Sequence, residues 1–252
     1  MILDINGVEF NYKSREVLNE ISFSVRPNEI LTILGPNGVG KTTLLKCINR
    51  IHNPRAGSIM VEDQDIMKLS LPEVAKKVGY VPQHCEKGRL TAYDAILLGR
   101  RPHIVWSTSE KDIRIVDAVI KRLKMEDLAM RYIDQMSGGE LQKISIARSI
   151  VQEPKLLLLD EPTSSLDLRN QQEILKIICE VVKGHNVSAV MTLHDINTAL
   201  RFSDRFLMLK DNRVFAAGGS EIINPENIRA VYGVSVAVES VTGGSVVVPI
   251  AD

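Results

Sequence analysis

Cysteine is scarce in this chain of 252 residues: Cys47, Cys85 and Cys179 stand far apart and form no CxxC pair. That spacing argues against a disulfide frame or a thiolate metal site and fits free thiols in a reducing compartment. Long apolar runs are missing too. None approaches the ~20 residues of a bilayer helix, and the run Leu156–Leu159 stops at Asp160, enough only for a strand. No block of Lys and Arg stands out, and 31 basic residues face 31 acidic ones, which excludes a nucleic-acid surface of overall basic character. The opening MILDINGVEF alternates like a strand and lacks the basic-then-apolar order of a signal peptide. No internal repeat or low-complexity segment is visible. With 44% hydrophobic and 25% charged residues, the chain can bury a core and is not disordered. The expectation is a soluble, intracellular, globular protein.

Apolar periodicity then divides the chain. Alternation over Ile2–Phe10, Val17–Val25 and Glu29–Leu34 predicts three strands. The third stops at the cluster Gly35-Pro36-Asn37-Gly38-Val39-Gly40, and Lys41–Ile51 follows with a helical pattern. A short strand near 57, a helix over Leu71–Lys77 and a strand over Val78–Val81 come next. Residues 84–152 turn helical. Ile113, Val116, Ile120 and Leu123 recur at three- and four-residue spacing, and a second helix is expected from Gly138 to Val151. Strands return at 156–159, 187–193, 205–209 and 213–217, with helices over 168–183 and 225–232. The tail 234–250 looks like strand, with Gly243-Gly244 as a hairpin turn. Alternating strands and helices predict an α/β parallel-sheet core, with the stretch 84–152 inserted as a helical subdomain.

Three clusters carry chemistry. Gly35-x4-Gly40-Lys41-Thr42 fits the P-loop pattern, between a strand and a helix as the motif demands. Its glycines let backbone N–H groups close around phosphate, Lys41 supplies charge, Thr42 can ligate Mg²⁺, and the following helix adds its positive dipole end. Asp160 and Glu161 end an apolar strand, where ligands bind in open α/β sheets. Asp160 is placed to hold Mg²⁺ and Glu161 to polarise an attacking water. The third cluster is Ser137-Gly138-Gly139-Glu140, a capping box whose two glycines weaken a first helical turn. They make sense if a phosphate approaches that helix end closely. One P-loop has no use for a second anion site from its own chain, whereas a symmetric dimer closing over two nucleotides does.

Taken together, Gly35–Thr43, Gln83, Ser137-Gly138-Gly139, Leu156–Glu161, Ser165-Leu166-Asp167 and His194 resemble the nucleotide-binding domain of ATP-binding cassette (ABC) proteins. The resemblance runs over roughly residues 1–220. It implies a P-loop NTPase core with a mixed sheet, an N-terminal antiparallel β subdomain and an inserted α-helical subdomain. Residues 1–83 and 153–220 would form the core and β subdomain, 84–152 the helical subdomain and 221–252 a short C-terminal extension, all within one nucleotide-binding domain. ATP would be held by Tyr12 on adenine and by Gly35, Pro36, Asn37, Gly38, Gly40, Lys41, Thr42 and Thr43 on the phosphates. Ser137, Gly138 and Gly139 would close from the partner, and Asp167 would communicate across the interface. Thr42, Gln83 and Asp160 would serve Mg²⁺; Glu161, His194 and Gln83 would act on the attacking water. The commonest signature in the family reads Leu-Ser-Gly-Gly-Gln; here Met136 and Glu140 replace its ends, so a negative charge stands near a partner's phosphate. Cys85 and the histidines His52, His84, His103 and His185 receive no role.

The resemblance further implies an ATPase chain of a homodimer at the cytoplasmic face of the cell membrane, peripheral to a separate polytopic permease. An extracytoplasmic substrate-binding protein completes the complex, and nucleic acid is not a partner. Leu97–His103 and the lack of a large C-terminal regulatory domain resemble the importers of iron–siderophore, haem and cobalamin. In that stretch Arg100 and Arg101 face either the permease or solvent. A soluble ABC ATPase, such as an Fe–S assembly factor, shares the same motifs, and a P-loop kinase is the competing enzyme class.

Overall fold

The computed structural model describes residues 1–84, 88–241 and 244–250, so Cys85 and Gly243 lie outside the described residues. The chain begins with β1 (Leu3–Tyr12), β2 (Arg15–Val25) and β3 (Ile30–Leu34), then α1 (Lys41–Ile48). Next come β4 (Ala56–Val61), β5 (Gln64–Asp65), α2 (Leu71–Lys77) and β6 (Val78–Val81). The insert holds α3 (Ala92–Leu97), α4 (Glu110–Arg122) and α5 (Gly138–Ile150). After it follow β7 (Leu156–Leu159), α6 (Leu168–His185), β8 (Ser188–Thr192), α7 (Ile196–Phe202), β9 (Arg205–Lys210) and β10 (Arg213–Gly218). The chain closes with α8 (Pro225–Tyr232), β11 (Val236–Val241) and β12 (Gly244–Pro249).

Two sheets enclose α1. The first is antiparallel in the order β2-β1-β4-β5, and the second runs β10-β9-β3-β8-β7-β6. In the second sheet β9, β3, β8, β7 and β6 are mutually parallel, and only β10 is antiparallel. Parallel strands covered on both faces carry continuous apolar runs, and the residues of β3, β7 and β8 are all buried. Successive side chains alternate between the faces. Leu31, Ile33, Leu156 and Leu158 meet Leu44, Leu45 and Ile48 of α1 and the first sheet. Leu157, Leu159, Ala189 and Met191 instead join the core built with the remaining helices. The expected mixed α/β class with an antiparallel N-terminal sheet and a helical insert is therefore the observed fold.

Some local readings differ. The first helix stops at Ile48, because Asn49 leaves the helical region and Arg50 turns to φ 55°. Ile113 of α4 is exposed, while Val116 and Ile120 carry the buried stripe. α7 was not expected; Asp195 starts it by accepting the Thr198 N–H. The C-terminal hairpin pairs Val241 opposite Gly244. It docks on α7 through Asn197, whose side-chain amide donates to Val247 O (3.1 Å) and accepts from Val247 N (2.7 Å).

Candidate active site

Because β3, β8, β7 and β6 are adjacent and parallel, their C-terminal ends share one edge. From that edge emerge the P-loop after β3, His194 after β8, Asp160 and Glu161 after β7, and Gln83 after β6. Residues spread over 160 positions of sequence thus meet at one place, with Asp160 N bonded across to Val81 O at 2.9 Å.

The P-loop backbone takes conformations and contacts that a side chain would forbid. Gly35 has φ 148°, and a Cβ there would stand 2.5 Å from Leu209 O. Gly40 caps α1 in the left-handed region, and its Cβ would meet Val17 O at 2.8 Å. Lys41 is only 5% exposed. Its ammonium donates to Gly35 O (2.7 Å) and Pro36 O (3.1 Å). Burial lowers its pKa, against the opposing pull of Glu161 and Asp160. The cation is thus held on backbone carbonyls, beside the two carboxylates, at the mouth of a glycine cradle. A cavity of about 440 Å³ opens there, lined by Tyr12, Arg15, Asn37, Lys41, Thr42 and Glu161 among others.

Opposite the lysine, Asp160 is buried and orients through three hydroxyls. Thr42 and Thr192 donate to its Oδ1 at 3.0 and 3.1 Å, and Tyr80 donates to Oδ2 at 3.4 Å. Burial pushes the Tyr80 phenol up, with Asp160 adding to it, so the tyrosine stays a donor. Glu161 stands at φ 47°, a strained position for a side chain with a Cβ. Its N–H donates to Thr192 Oγ1 at 2.8 Å, so one threonine fixes both acids. The Glu161 carboxylate receives Gln83 Nε2 on one oxygen and His194 Nε2 on the other, each at 2.5 Å. Gln83, Glu161 and His194 are brought together as expected, and so are Thr42 and Asp160. A carboxylate oriented on both oxygens, beside a buried cation and a phosphate-sized cradle, can position and deprotonate a water for attack on a phosphoryl group. Thr42 Oγ1 and Asp160 Oδ1 also form a hard-oxygen pair of the kind that serves Mg²⁺.

Tyr12 flanks the cavity, 44% exposed. His52, given no role from sequence, supports it: Nε2 and the Tyr12 hydroxyl share a hydrogen bond at 2.7 Å, and the imidazole stacks on Phe10 at 5.1 Å. Burial, then Lys46, lowers the His52 pKa, which suits a neutral ring with a free lone pair. Thr192, Tyr80 and Arg15 were also missed. The signal for Thr192 is a hydroxyl closing the apolar run Ala189–Met191 of β8.

The Ser137 turn stands elsewhere. Ser137 caps α5 with the reciprocal Glu140 contact of a capping box, its N–H donating to Glu140 Oε2 at 2.8 Å. Arg131 pairs with Glu140 at 3.0 Å, so the acid of the signature carries its own counter-charge. A Cβ on Gly139 would meet Asn170 at 3.1 Å, and Asn170 is bonded to Asp167, the cap of α6. Ser137, Gly138, Gly139 and Asp167 therefore share one surface, and none of them lines the cavity.

Arg100 corrects an expectation. It faces neither a partner nor solvent: 2% exposed, it donates to Asp112 (2.9 Å), Val151 O (2.6 Å) and Glu153 (2.8 Å). Burying its guanidinium is tolerable only with this full set of acceptors. Arg101 beside it is exposed.

The family described as ABC transporter matches residues 18–164. The chain belongs to that family. It is 56% identical over 250 residues to an uncharacterised ABC transporter ATP-binding protein of Methanocaldococcus jannaschii, covering 99% of this chain and 98% of the relative. It is 35% identical to a probable siderophore transport system ATP-binding protein of Bacillus subtilis, over 90% of this chain and 84% of that one. Among solved structures it superposes on an inward-facing transporter described as metal-chelate type, with TM-score 0.86, 29% identity and coverage of 99% and 98%. A dimeric post-hydrolysis ATP-binding cassette bound to ADP and Pi gives TM-score 0.75, 25% identity and coverage of 86% and 98%. The chain is an ATP-binding cassette ATPase of a transporter.

Proposed function

We propose that this cassette hydrolyses ATP as the motor of an importer, and that the Gln83–Glu161–His194 cluster facing Lys41 is its hydrolytic centre. The observation that carries the reading is Glu161, held at φ 47° by Thr192 with both carboxylate oxygens engaged beside the P-loop. In the reaction Lys41 exchanges the Gly35 and Pro36 carbonyls for phosphate oxygens, while P-loop N–H groups and the α1 terminus take the remaining charge. Glu161 takes the proton of the attacking water, His194 orients it and meets the γ-phosphate, and Gln83 reports the event to the helical insert. Thr42, Asp160 and Gln83 would hold Mg²⁺, which supplies charge neutralisation on the phosphates when bound. Tyr12, steadied by His52, stacks on adenine.

The cassette acts as a homodimer. Ser137, Gly138 and Gly139 form a capped helix end beside Asp167 and outside their own chain's cavity, so closing on a nucleotide requires a second copy; the similar cassette bound to ADP and Pi is dimeric. Among the described residues no helix is long and apolar enough to cross a membrane. The translocation path then belongs to a separate polytopic permease, with this chain peripheral at the cytoplasmic face and an extracytoplasmic binding protein delivering cargo. The siderophore relative and the metal-chelate-type structure favour iron–siderophore, haem or cobalamin as that cargo.

Two experiments test the reading. Glu161→Gln should bind ATP yet lose most phosphate release; equal turnover in both proteins removes Glu161 as the base. Reconstitution with the co-purifying permease and binding protein should show ATPase stimulation by iron chelates, haem or corrinoids. Co-purification of soluble scaffold proteins alone, with no polytopic partner, would defeat the importer assignment.

A further inference from the structure

His194 sits in the link 193–195 between β8 and α7, with its Nε2 2.5 Å from Glu161 Oε1. On one side that link is rigid, because β8 lies inside the sheet between β3 and β7 and all its residues are buried. On the other side it hangs on α7, a helix of seven residues with only Ala199 buried and Asp195 as its cap. So short a helix is marginal by itself and takes its place from tertiary contacts. At its first turn the C-terminal hairpin supplies the directional ones. Ile250 N–H donates to Ser235 O, and alternation along an antiparallel pair then makes Val238 and Val247 a non-hydrogen-bonded pair. The N–H and C=O of Val247 therefore point away from β11, and one side chain takes both. The Asn197 amide accepts from Val247 N at 2.7 Å and donates to Val247 O at 3.1 Å. Asn197 thus stands where a further strand would pair, while Val236 and Val247 tie the hairpin into the main core.

We propose that Asn197 is a positioning residue for the hydrolytic reaction: by bonding both backbone groups of Val247 it fixes the first turn of α7, and through it the place of His194 against Glu161. The inference rests on the reading that His194 orients the attacking water and meets the γ-phosphate. It gives the hairpin β11–β12 a part in the chemistry, as a brace behind His194. Misplacing a reacting group by about 1 Å can cost on the order of a hundredfold in rate, and a pair at 2.5 Å has little slack. Asn197 is exposed, so water can satisfy Val247 once the amide is removed, and the cassette keeps its fold. What is lost is the aim of the helix.

Two variants of the full chain attack the brace from opposite sides. Asn197→Ala removes the side chain; Val247→Pro removes the N–H that it accepts and no bond between β11 and β12, since that group faces away from β11. Each should lower kcat about 5- to 50-fold, with KM for ATP and calorimetric ADP affinity within about twofold of wild type. In ¹H–¹³C spectra of the histidine rings, the His194 signals, assigned by their absence in His194→Gln, should move in both variants. Those of His103, which bonds Gln152 O in the helical insert, should stay in place. Wild-type kcat in Asn197→Ala, a loss of ADP affinity as large as the loss of kcat, or unmoved His194 signals each overturns the proposal. Should Val247→Pro fail to fold, Asn197→Ala decides alone. Wild-type turnover in His194→Ala would instead take down the reading of His194 itself, and this inference with it.

Discussion

Replacing Arg100 with leucine should unlock the helical insert. The guanidinium is 2% exposed and its acceptors are the buried Asp112, the Val151 carbonyl and Glu153, which is 52% exposed. Removing one partner of a buried pair costs about 3–5 kcal/mol, since the other charge is left uncompensated. Glu153 contributes under ~1 kcal/mol of that, because water screens it. Against a total stability of about 5–15 kcal/mol, and with a slope of roughly 2–3 kcal/mol per molar urea for a chain of this size, the midpoint should fall by about 1–2 M. Asp112 keeps its Ser109 bonds in the α4 capping box, so adding Asp112→Leu to Arg100→Leu should cost less than the sum of the two single changes, giving a coupling of at least ~1 kcal/mol. Acid should report the same site. Hydrogen bonds from Ser109, then Arg100, hold Asp112 down at about 2 from its ordinary 3.8. Its contribution is complete above pH ~4 and is lost as pH falls toward 2, so Asp112→Asn should flatten that part of the acid limb in urea midpoints taken at pH 5, 4 and 3. A single-variant cost below ~1 kcal/mol, or strictly additive effects in the pair, would refute the reasoning.

Thr192→Val removes the acceptor of the Glu161 N–H and a donor to Asp160; it should lower kcat at least about tenfold with ADP affinity near wild type, and steady-state kinetics showing a rise in KM alone would count against it. Gly35→Ala should abolish ADP binding in calorimetry because its Cβ meets Leu209 O at 2.5 Å, whereas Gly38→Ala, with open space around it, carries only backbone strain of about 1–3 kcal/mol. Equal losses in the two variants would show that packing behind the loop is not what selects glycine at 35. Burial pushes the Cys47 thiol up to about 12, so iodoacetamide at pH 8 should leave it unmodified in the native protein and label it only after denaturation, as read by peptide mass mapping.

What could be read along the chain was what neighbouring residues determine by themselves. Gly35 and Gly40 stand where backbone φ is 148° and 108°, so a steric requirement is written directly into residue type. An apolar run ending in acid, Leu156–Glu161, likewise marks a buried strand leaving the sheet at its ligand edge. What stayed hidden depends on partners far away. Arg100 looks like any surface arginine until Asp112 and Glu153, 12 and 53 residues on, fold around it. His52 steadies Tyr12 from 40 residues distant, and Thr192 serves acids more than 30 residues earlier. A threonine in a strand reads as a β-branched filler, and only the sheet order puts β8 beside β7 and turns its hydroxyl toward Asp160. α7 escaped because it is short, seven residues, with only Ala199 buried, too little for a period to show. The division follows from what each residue does. Groups proposed to contact phosphate act through backbone geometry, which is local. Groups that orient Asp160 and Glu161 act through side chains lent by neighbouring strands, and those become visible only when the sheet is assembled.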